Sequence, residues 1–288
     1  MKKNIIIYIL IALSQFAAKA QETVYGKADS IFIETILDRH QRCRYSSTGE
    51  LALAIAGEFE GTKYVSNTLD NDSCETLYIS HDRLDCTTFV ELVTAMTISA
   101  VNEEKSFDSV CRNLEMIRYR GGKRNGYQSR LHYISWWIDD NYSKGVVKEV
   151  TVASPHKQHI LDINYMSTHP DSYPQLKGND TARNEIETYE LPYRNKATSY
   201  IPKEKLHLDS KRLDIRNGDI IALVTTIKGL DVSHVGFAFW DGDSLHMMHA
   251  SSKEKAVIRD KHTLYRYQKN NKSQTGIRVI RILPETLK

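Results

Sequence analysis

The dipeptide Asp241-Gly242 sits between two strand-like runs, Val235-Gly236-Phe237-Ala238-Phe239-Trp240 and Ser244 to His249. Asp-Gly between such runs is a strong signal for a two-residue hairpin of type I′. It commits the last third of the chain to antiparallel strands. Further strand-like runs lie at Ile220-Ile221-Ala222-Leu223-Val224, Val257-Ile258 and Ile277 to Leu283. The first half carries a helical period instead. Residues 27–42 place Ile31, Ile36 and Leu37 on one helix, and residues 49–60 place Leu51, Ala52, Ile55 and Phe59 on a second, with Gly61 as its C-cap. A third helix opens at Cys86 and runs to about residue 100. A fourth is capped by Ser106 or Asp108 and stopped by Gly121-Gly122, and a short fifth spans His132 to Asp140. Residues 145–205 hold a strand-like Val146 to Val152, then polar segments with Pro170, Pro174 and Pro192. This stretch reads as an insertion or a substrate-covering region. Helices first and an antiparallel sheet after is an α+β order.

The hairpin fixes a register. With Asp241-Gly242 as the loop, Trp240 faces Asp243, and His234 then faces His249 on the adjacent strand and the same face. Directly opposed residues hold their Cβ atoms about 4.5–5.5 Å apart, close enough for one imidazole to orient another. A longer loop would move this pairing. A lone strand histidine is more often a packed or surface residue. Two at matched register are a less ordinary coincidence. His246 and His262 show no role in the sequence.

Cys86 lies in Leu84-Asp85-Cys86-Thr87-Thr88-Phe89-Val90-Glu91, where Phe89, Val90, Val93 and Met96 recur at helical spacing. That places it in the first turn of a buried helix. Free cysteine is usually a small buried hydrophobe. At a helix start, however, unpaired backbone N–H groups favour the thiolate, which is the nucleophile. With His234 as base and His249 as the group that orients it, Cys86 completes a Cys-His-His arrangement for attack on an amide. The backbone N–H of Cys86 is a natural oxyanion donor, and Tyr64 offers a phenolic O–H. No H-E-x-x-H or C-x-x-C spacing occurs, so neither a metal nor another cofactor is called for.

The chain opens with Met1-Lys2-Lys3-Asn4, an apolar run from Ile5 to Leu13, and Ala18-Lys19-Ala20 before Gln21. This is the pattern of a secretory signal peptide over residues 1–20, too short for a stable membrane span. Residues 21–288 then form a single domain, with insertions over roughly 121–205. The composition, 41% hydrophobic and 26% charged, is that of a soluble globular protein. A net charge of +3 suits an anionic cell wall and does not point to nucleic acid. Four cysteines, one of them a free nucleophile, argue against a disulfide framework. Cys111, beside Val110, Leu114 and Ile117, reads as packing.

The motifs Phe59-Glu60-Gly61-Thr62-Lys63-Tyr64, Leu84 to Glu91, Ser233-His234-Val235-Gly236 and Met248-His249-Ala250-Ser251 occur in this order. Together they resemble the NlpC-type, papain-like cell-wall cysteine hydrolases. Ser129-Arg130-Leu131-His132-Tyr133 and Gly229-Leu230-Asp231-Val232-Ser233-His234 make the chain most similar to a branch of N-acetylmuramoyl-L-alanine amidases, over residues 27–283. The resemblance implies a papain-like α+β fold, with N-terminal helices packed on an antiparallel sheet and the catalytic cysteine at a helix N-terminus. It implies peptidoglycan or muropeptide fragments as substrate, cut between muramic acid and L-alanine, in the periplasm or cell envelope. Tyr64, Asp85, His132, Asp231 and Ser233 are the matching positions for substrate or oxyanion contacts. Two departures stand out. Lys63 replaces a common proline before Tyr64, and Trp136 stands where an acidic residue is expected. Alternatives on the same chemistry or fold are an endopeptidase cutting after D-glutamate, acyl transfer to an amine, and a non-catalytic wall-binding protein.

Overall fold

A computed structural model describes residues 22–70 and 74–287. The leader expected over residues 1–20 lies outside them. Among the described residues no helix is long and apolar enough to cross a membrane.

Five helices of the first half form where the periodicity places them. They are α1 (Lys27–Gln41), α2 (Thr48–Gly57), α3 (Cys86–Val101), α4 (Phe107–Arg118) and α5 (Ile134–Ser143). Short polar side chains start three of them. Ser47 accepts from Glu50 N–H, Asp85 from Thr88 N–H and Ser106 from Ser109 N–H, each satisfying a donor that the first turn leaves unpaired. Gly121 and Gly122 adopt φ of +59° and +73° beyond α4, a region few other residues enter, and so end it. Short strand β1 (Thr23–Val24) precedes α1, and β2 (Lys63–Tyr64), β3 (Leu77–Tyr78) and β4 (Arg83–Leu84) lie between α2 and α3.

The second half supplies β5 (Val147–Glu149), β6 (Lys157–Asp162), helices α6 (Tyr165–Thr168) and α7 (Asp180–Glu190), then β7 (Arg194–Pro202) and β8 (Ile220–Thr225). There follow β9 (Val232–Asp241), β10 (Ser244–Ser251), β11 (Ala256–Arg259), α8 (Leu264–Lys269) and β12 (Gln274–Ile282). The main sheet runs β4-β2-β11-β10-β9-β8-β12-β7-β6, with β5 also on β12. It is mixed. The pairs from β11 through to β6 are antiparallel, while β2 and β4 pair in parallel. The antiparallel sheet expected from sequence therefore holds for its body and not for its β2–β4 edge. The ambiguous middle is built into this sheet, because β7 pairs with β12 and β6 with β7.

Strand β8 is buried along its whole length. Ile220 and Ala222 join the core beneath the helices, while Ile221 and Leu223 join a second core on the other face. Burial on both faces is why this strand reads as a continuous apolar run. Helix α3 packs on β9 through Phe89 and Phe237, edge to face at 5.6 Å. That contact sets the Cys86 end of α3 against the sheet.

The hairpin differs from its expected register. Asp241 pairs with Ser244 and Trp240 with Leu245, so the loop is Gly242-Asp243. Gly242 has φ +56°, and Asp243 is not among the left-handed residues. Type I′ needs positive φ at both central residues, whereas a glycine at the first alone is the requirement of type II′. The pairing moves by two positions and not by one. His234 and His249 therefore keep a common face but become diagonal neighbours. The residue opposite His249 in this register is Gly236.

Candidate active site

Asp85 closes a capping box at the start of α3. Its Oδ1 accepts from Thr88 N–H at 2.8 Å, and its own N–H donates to Thr88 Oγ1 at 2.9 Å. The box fixes the direction in which the chain enters the helix, and so fixes Cys86 in its first turn. The backbone N–H of Val235, the Thr87 hydroxyl and the N–H of Cys86 itself favour a charged sulfur. Burial opposes them and prevails. With the nearby Asp85 carboxylate it pushes the thiol up to about 12. The lowering expected from the helix N-terminus is thus overridden by desolvation.

Cys86 and His234 line one cavity of about 190 Å³ with Thr87, His132, Tyr133, Met166 and Tyr173. Met166 and Tyr173 come from the middle segment. His234 is held down to about 3, first by burial and then by the neighbouring His249. Thiol and imidazole both therefore rest neutral. A bulge places His234. Leu223 pairs with His234 while Val224 pairs with Val232, leaving Ser233 as the extra residue. Such bulges re-aim side chains at strand ends.

His234 Nε2 lies 2.7 Å from His249 Nδ1, with the rings edge to face at 4.8 Å between centroids. Diagonal strand neighbours are about 7–8 Å apart at the backbone, and two imidazoles span that gap. The Cβ of His249 and the carbonyl of Met248 lie against Gly236, which has no side chain. A Cβ there would lie 2.9 Å from His249 Cβ and 2.6 Å from the Met248 carbonyl oxygen. Tyr267 of α8 packs edge to face on His249 at 5.6 Å.

Sequence reasoning missed Asp260. It follows β11 and lies 3.4 Å from His249 Nε2 through Oδ2. Its Oδ1 accepts from the backbone N–H of His262 at 2.8 Å and lies 3.3 Å from that ring. Its backbone oxygen is 3.0 Å from His246 Nδ1. Burial opposes ionisation of Asp260, but the bonds from His249 and His262 hold the carboxyl down to about 2. His246 and His262 thus acquire a place. A second cavity, of about 820 Å³, opens on this side and is lined by Ser233, His234, His249, Asp260 and Tyr267 among others. The only sequence signal for Asp260 is an acidic residue closing the Val257-Ile258 run.

The other sequence-predicted residues fall into two groups. His132 and Ser233 face the cavities. His132 Nε2 is 2.9 Å from the Tyr127 carbonyl oxygen, which makes that nitrogen the protonated one and leaves Nδ1 as an acceptor. Burial, with Arg130 second, holds its pKa well below the ordinary value. Ser233 Oγ accepts from Gln274 Nε2 at 3.2 Å and lines both cavities. Asp231 also lines the Cys86 cavity, but it spends its oxygens on the backbone. Val232 N–H donates to Oδ1 at 2.8 Å and Ser135 N–H to Oδ2 at 2.6 Å, tying the start of α5 to the start of β9. Tyr64 is half-buried on β2. Burial raises its pKa, and the charges of Cys86 and Asp85 add to the rise. Trp136 is fully buried, with Tyr133 against one edge and the Arg120 guanidinium over its ring, so it is core. Cys43, Cys74, Cys86 and Cys111 are free thiols, and Cys111 packs against the core.

Residues 54–277 match the model of the AmiA-like family, described as N-acetylmuramoyl-L-alanine amidase-like. An N-acetylmuramoyl-L-alanine amidase from Bacteroides uniformis ATCC 8492 is similar, with 39% identity and a TM-score of 0.77 over 82% of this chain and 98% of that one. A Bacteroides fragilis structure described as a putative xylanase is 44% identical, with a TM-score of 0.74 over 80% and 99% of the two chains. A Legionella pneumophila protein at 22% identity shares the fold, with a TM-score of 0.66 over 90% and 95%. No curated protein matches the chain in sequence.

Proposed function

Because the chain belongs to the AmiA-like, N-acetylmuramoyl-L-alanine amidase-like family, we propose that it is a peptidoglycan hydrolase using Cys86, His234 and His249. On this reading the fold is a papain-like, NlpC-type one. The bond cut is the amide between the lactyl group of N-acetylmuramic acid and L-alanine. The observation that carries the reading is one cavity holding Cys86 and His234, with His249 bonded to His234 from behind at 2.7 Å.

The neutral pair dictates the order of events. As Cys86 Sγ attacks the lactyl carbonyl carbon, its proton passes to His234, so neither charge stands alone in the buried site. The carbonyl oxygen becomes an oxyanion against the Cys86 N–H, with the Tyr64 hydroxyl as a second donor. His234 then gives its proton to the L-alanine nitrogen, the C–N bond breaks, and a thioester to the lactyl group remains. Water attacks that thioester, losing a proton to His234, which returns it to the departing sulfur. His132 Nδ1 and Ser233 Oγ offer polar contacts to substrate. Asp85 and Asp231 hold the frame, the first by capping α3 and the second by joining α5 to β9. No step calls for a metal or cofactor. A signal peptide over residues 1–20 delivers the enzyme to the periplasm or envelope, where muropeptides or intact wall are its substrates.

The test is incubation of purified residues 21–288 with defined muropeptides beside Cys86→Ala, with products identified by mass. A free stem peptide beginning with L-alanine, absent with Cys86→Ala, is the expected result. A muramic fragment still bearing L-alanyl-D-glutamate would move the cut into the stem. No product at all would overturn the hydrolase reading.

A further inference from the structure

The bonds around His249 decide which nitrogen of His234 is free to act. His234 Nε2 is engaged by His249 Nδ1 at 2.7 Å, so only Nδ1 of His234 remains to accept a proton from Cys86. It can do so only if the hydrogen between the two rings sits on His234 Nε2. That in turn requires His249 Nδ1 to be bare, and a neutral imidazole with a bare Nδ1 carries its hydrogen on Nε2. Nε2 of His249 faces Asp260 Oδ2 at 3.4 Å. An ionised carboxylate only accepts, so it selects that tautomer.

We propose that Asp260 is a positioning residue of the active site, which sets His249 as the Nε2–H tautomer and thereby leaves His234 Nδ1 bare as the base. The proposal rests on the Cys86 hydrolase reading for its kinetic consequence, but not for its tautomers. Asp260 is itself oriented. Its Oδ1 takes the His262 N–H at 2.8 Å, its backbone N–H donates to the Met247 carbonyl at 3.0 Å, and its carbonyl accepts from His246. The carboxylate therefore cannot turn without losing a backbone hydrogen bond.

This orientation makes an unusual prediction about the isosteric variant. In Asp260→Asn the amide oxygen must stay on the His262 N–H, so the NH₂ group takes the place of Oδ2. It then donates to His249 Nε2 and drives the hydrogen to Nδ1 of His249. The hydrogen shared with His234 comes from the wrong partner, and His234 is protonated at Nδ1, where it must be bare. Asp260→Ala leaves His249 Nε2 to water from the large cavity and imposes neither tautomer. The conservative variant is thus the more damaging one, the reverse of what a packing or stability role gives.

The experiment compares wild type, Asp260→Asn and Asp260→Ala in kcat on a muropeptide, and in ¹⁵N-labelled histidine spectra that report the protonated ring nitrogen. Asp260→Asn is expected to lose about 100-fold or more in kcat. Asp260→Ala is expected to lose about 10-fold. The His249 signal should move from Nε2–H in wild type to Nδ1–H in Asp260→Asn. Asp260→Asn with wild-type kcat, Asp260→Asn more active than Asp260→Ala, or an unchanged Nε2–H signal would each overturn the proposal. Should Cys86→Ala still cleave muropeptide, the nucleophile assignment falls, while the spectra still decide the role of Asp260.

Discussion

Replacing Gly236 with alanine adds one methyl group against the Met248 carbonyl and the Cβ of His249. The new Cβ would meet Met248 O at 2.6 Å and His249 Cβ at 2.9 Å, against the 3.4 Å at which ordinary contact begins. The shortfalls are about 0.8 and 0.5 Å, and the first is to backbone, which cannot rotate away. The φ of Gly236 is not left-handed, so alanine pays nothing for its conformation. It gains about 0.4–1 kcal/mol by restricting the unfolded chain. Overpacking of a filled site costs about 1–3 kcal/mol. The net expectation is a loss of about 1–2 kcal/mol, read as a lower midpoint in urea with unchanged slope. A shift of about 0.5 Å in His249 stretches a 2.7 Å bond to the edge of hydrogen-bonding range. Since about 1 Å of misplacement costs about 100-fold, kcat should fall about 10-fold on muropeptide. Gly57→Ala is the control, because its Cβ would meet only the tip of Arg259 at 3.4 Å. It should leave kcat unchanged. Wild-type kcat and midpoint in Gly236→Ala would refute the argument that this glycine makes room for His249.

Two further perturbations test the electrostatics. With the thiol pushed up to about 12 and His234 held down to about 3, the pair is neutral at pH 7. Iodoacetamide labelling of Cys86 should be slow there and climb about tenfold per pH unit to beyond pH 9. Fast labelling already level between pH 5 and 7 would instead show a preformed thiolate. Beneath the same helix, Arg118 Nε donates to Glu91 at 2.6 Å and Arg118 Nη1 to the Tyr78 carbonyl at 2.8 Å, with both side chains buried. Arg118→Met should cost about 3–5 kcal/mol in urea unfolding by stranding Glu91, and adding Glu91→Leu should restore more than half. Failure of the second substitution to restore stability would mean that the loss comes from the Tyr78 contact.

The local features of this protein are written in its sequence. Apolar spacing defines α1 to α4 and short polar caps start α2, α3 and α4, because these depend on residues three or four apart. The Cys86 helix start is legible for that reason, down to the Asp85 cap. The common face of His234 and His249 is legible too, because a strand has a period of two and survives a two-residue slip. Which two residues form the turn is not legible. Asp-Gly and Gly-Asp each suit a hairpin, and the choice is made by the strands that pair on either side. The β2–β4 parallel edge and the entry of β5 to β7 into the sheet are likewise long-range pairings without a local sign. The rise in the Cys86 pKa is not legible either, because a helix start is local and desolvation is supplied by the whole fold. Asp260 is the clearest case. It lies eleven positions after His249, and only the β10–β11 register, with His249 paired to Ile258, brings the carboxylate to the imidazole. Sequence determined that Cys86 starts a helix and that His234 and His249 share a strand face; tertiary structure decided which of their atoms meet, because those contacts are made by pairings far apart in the chain.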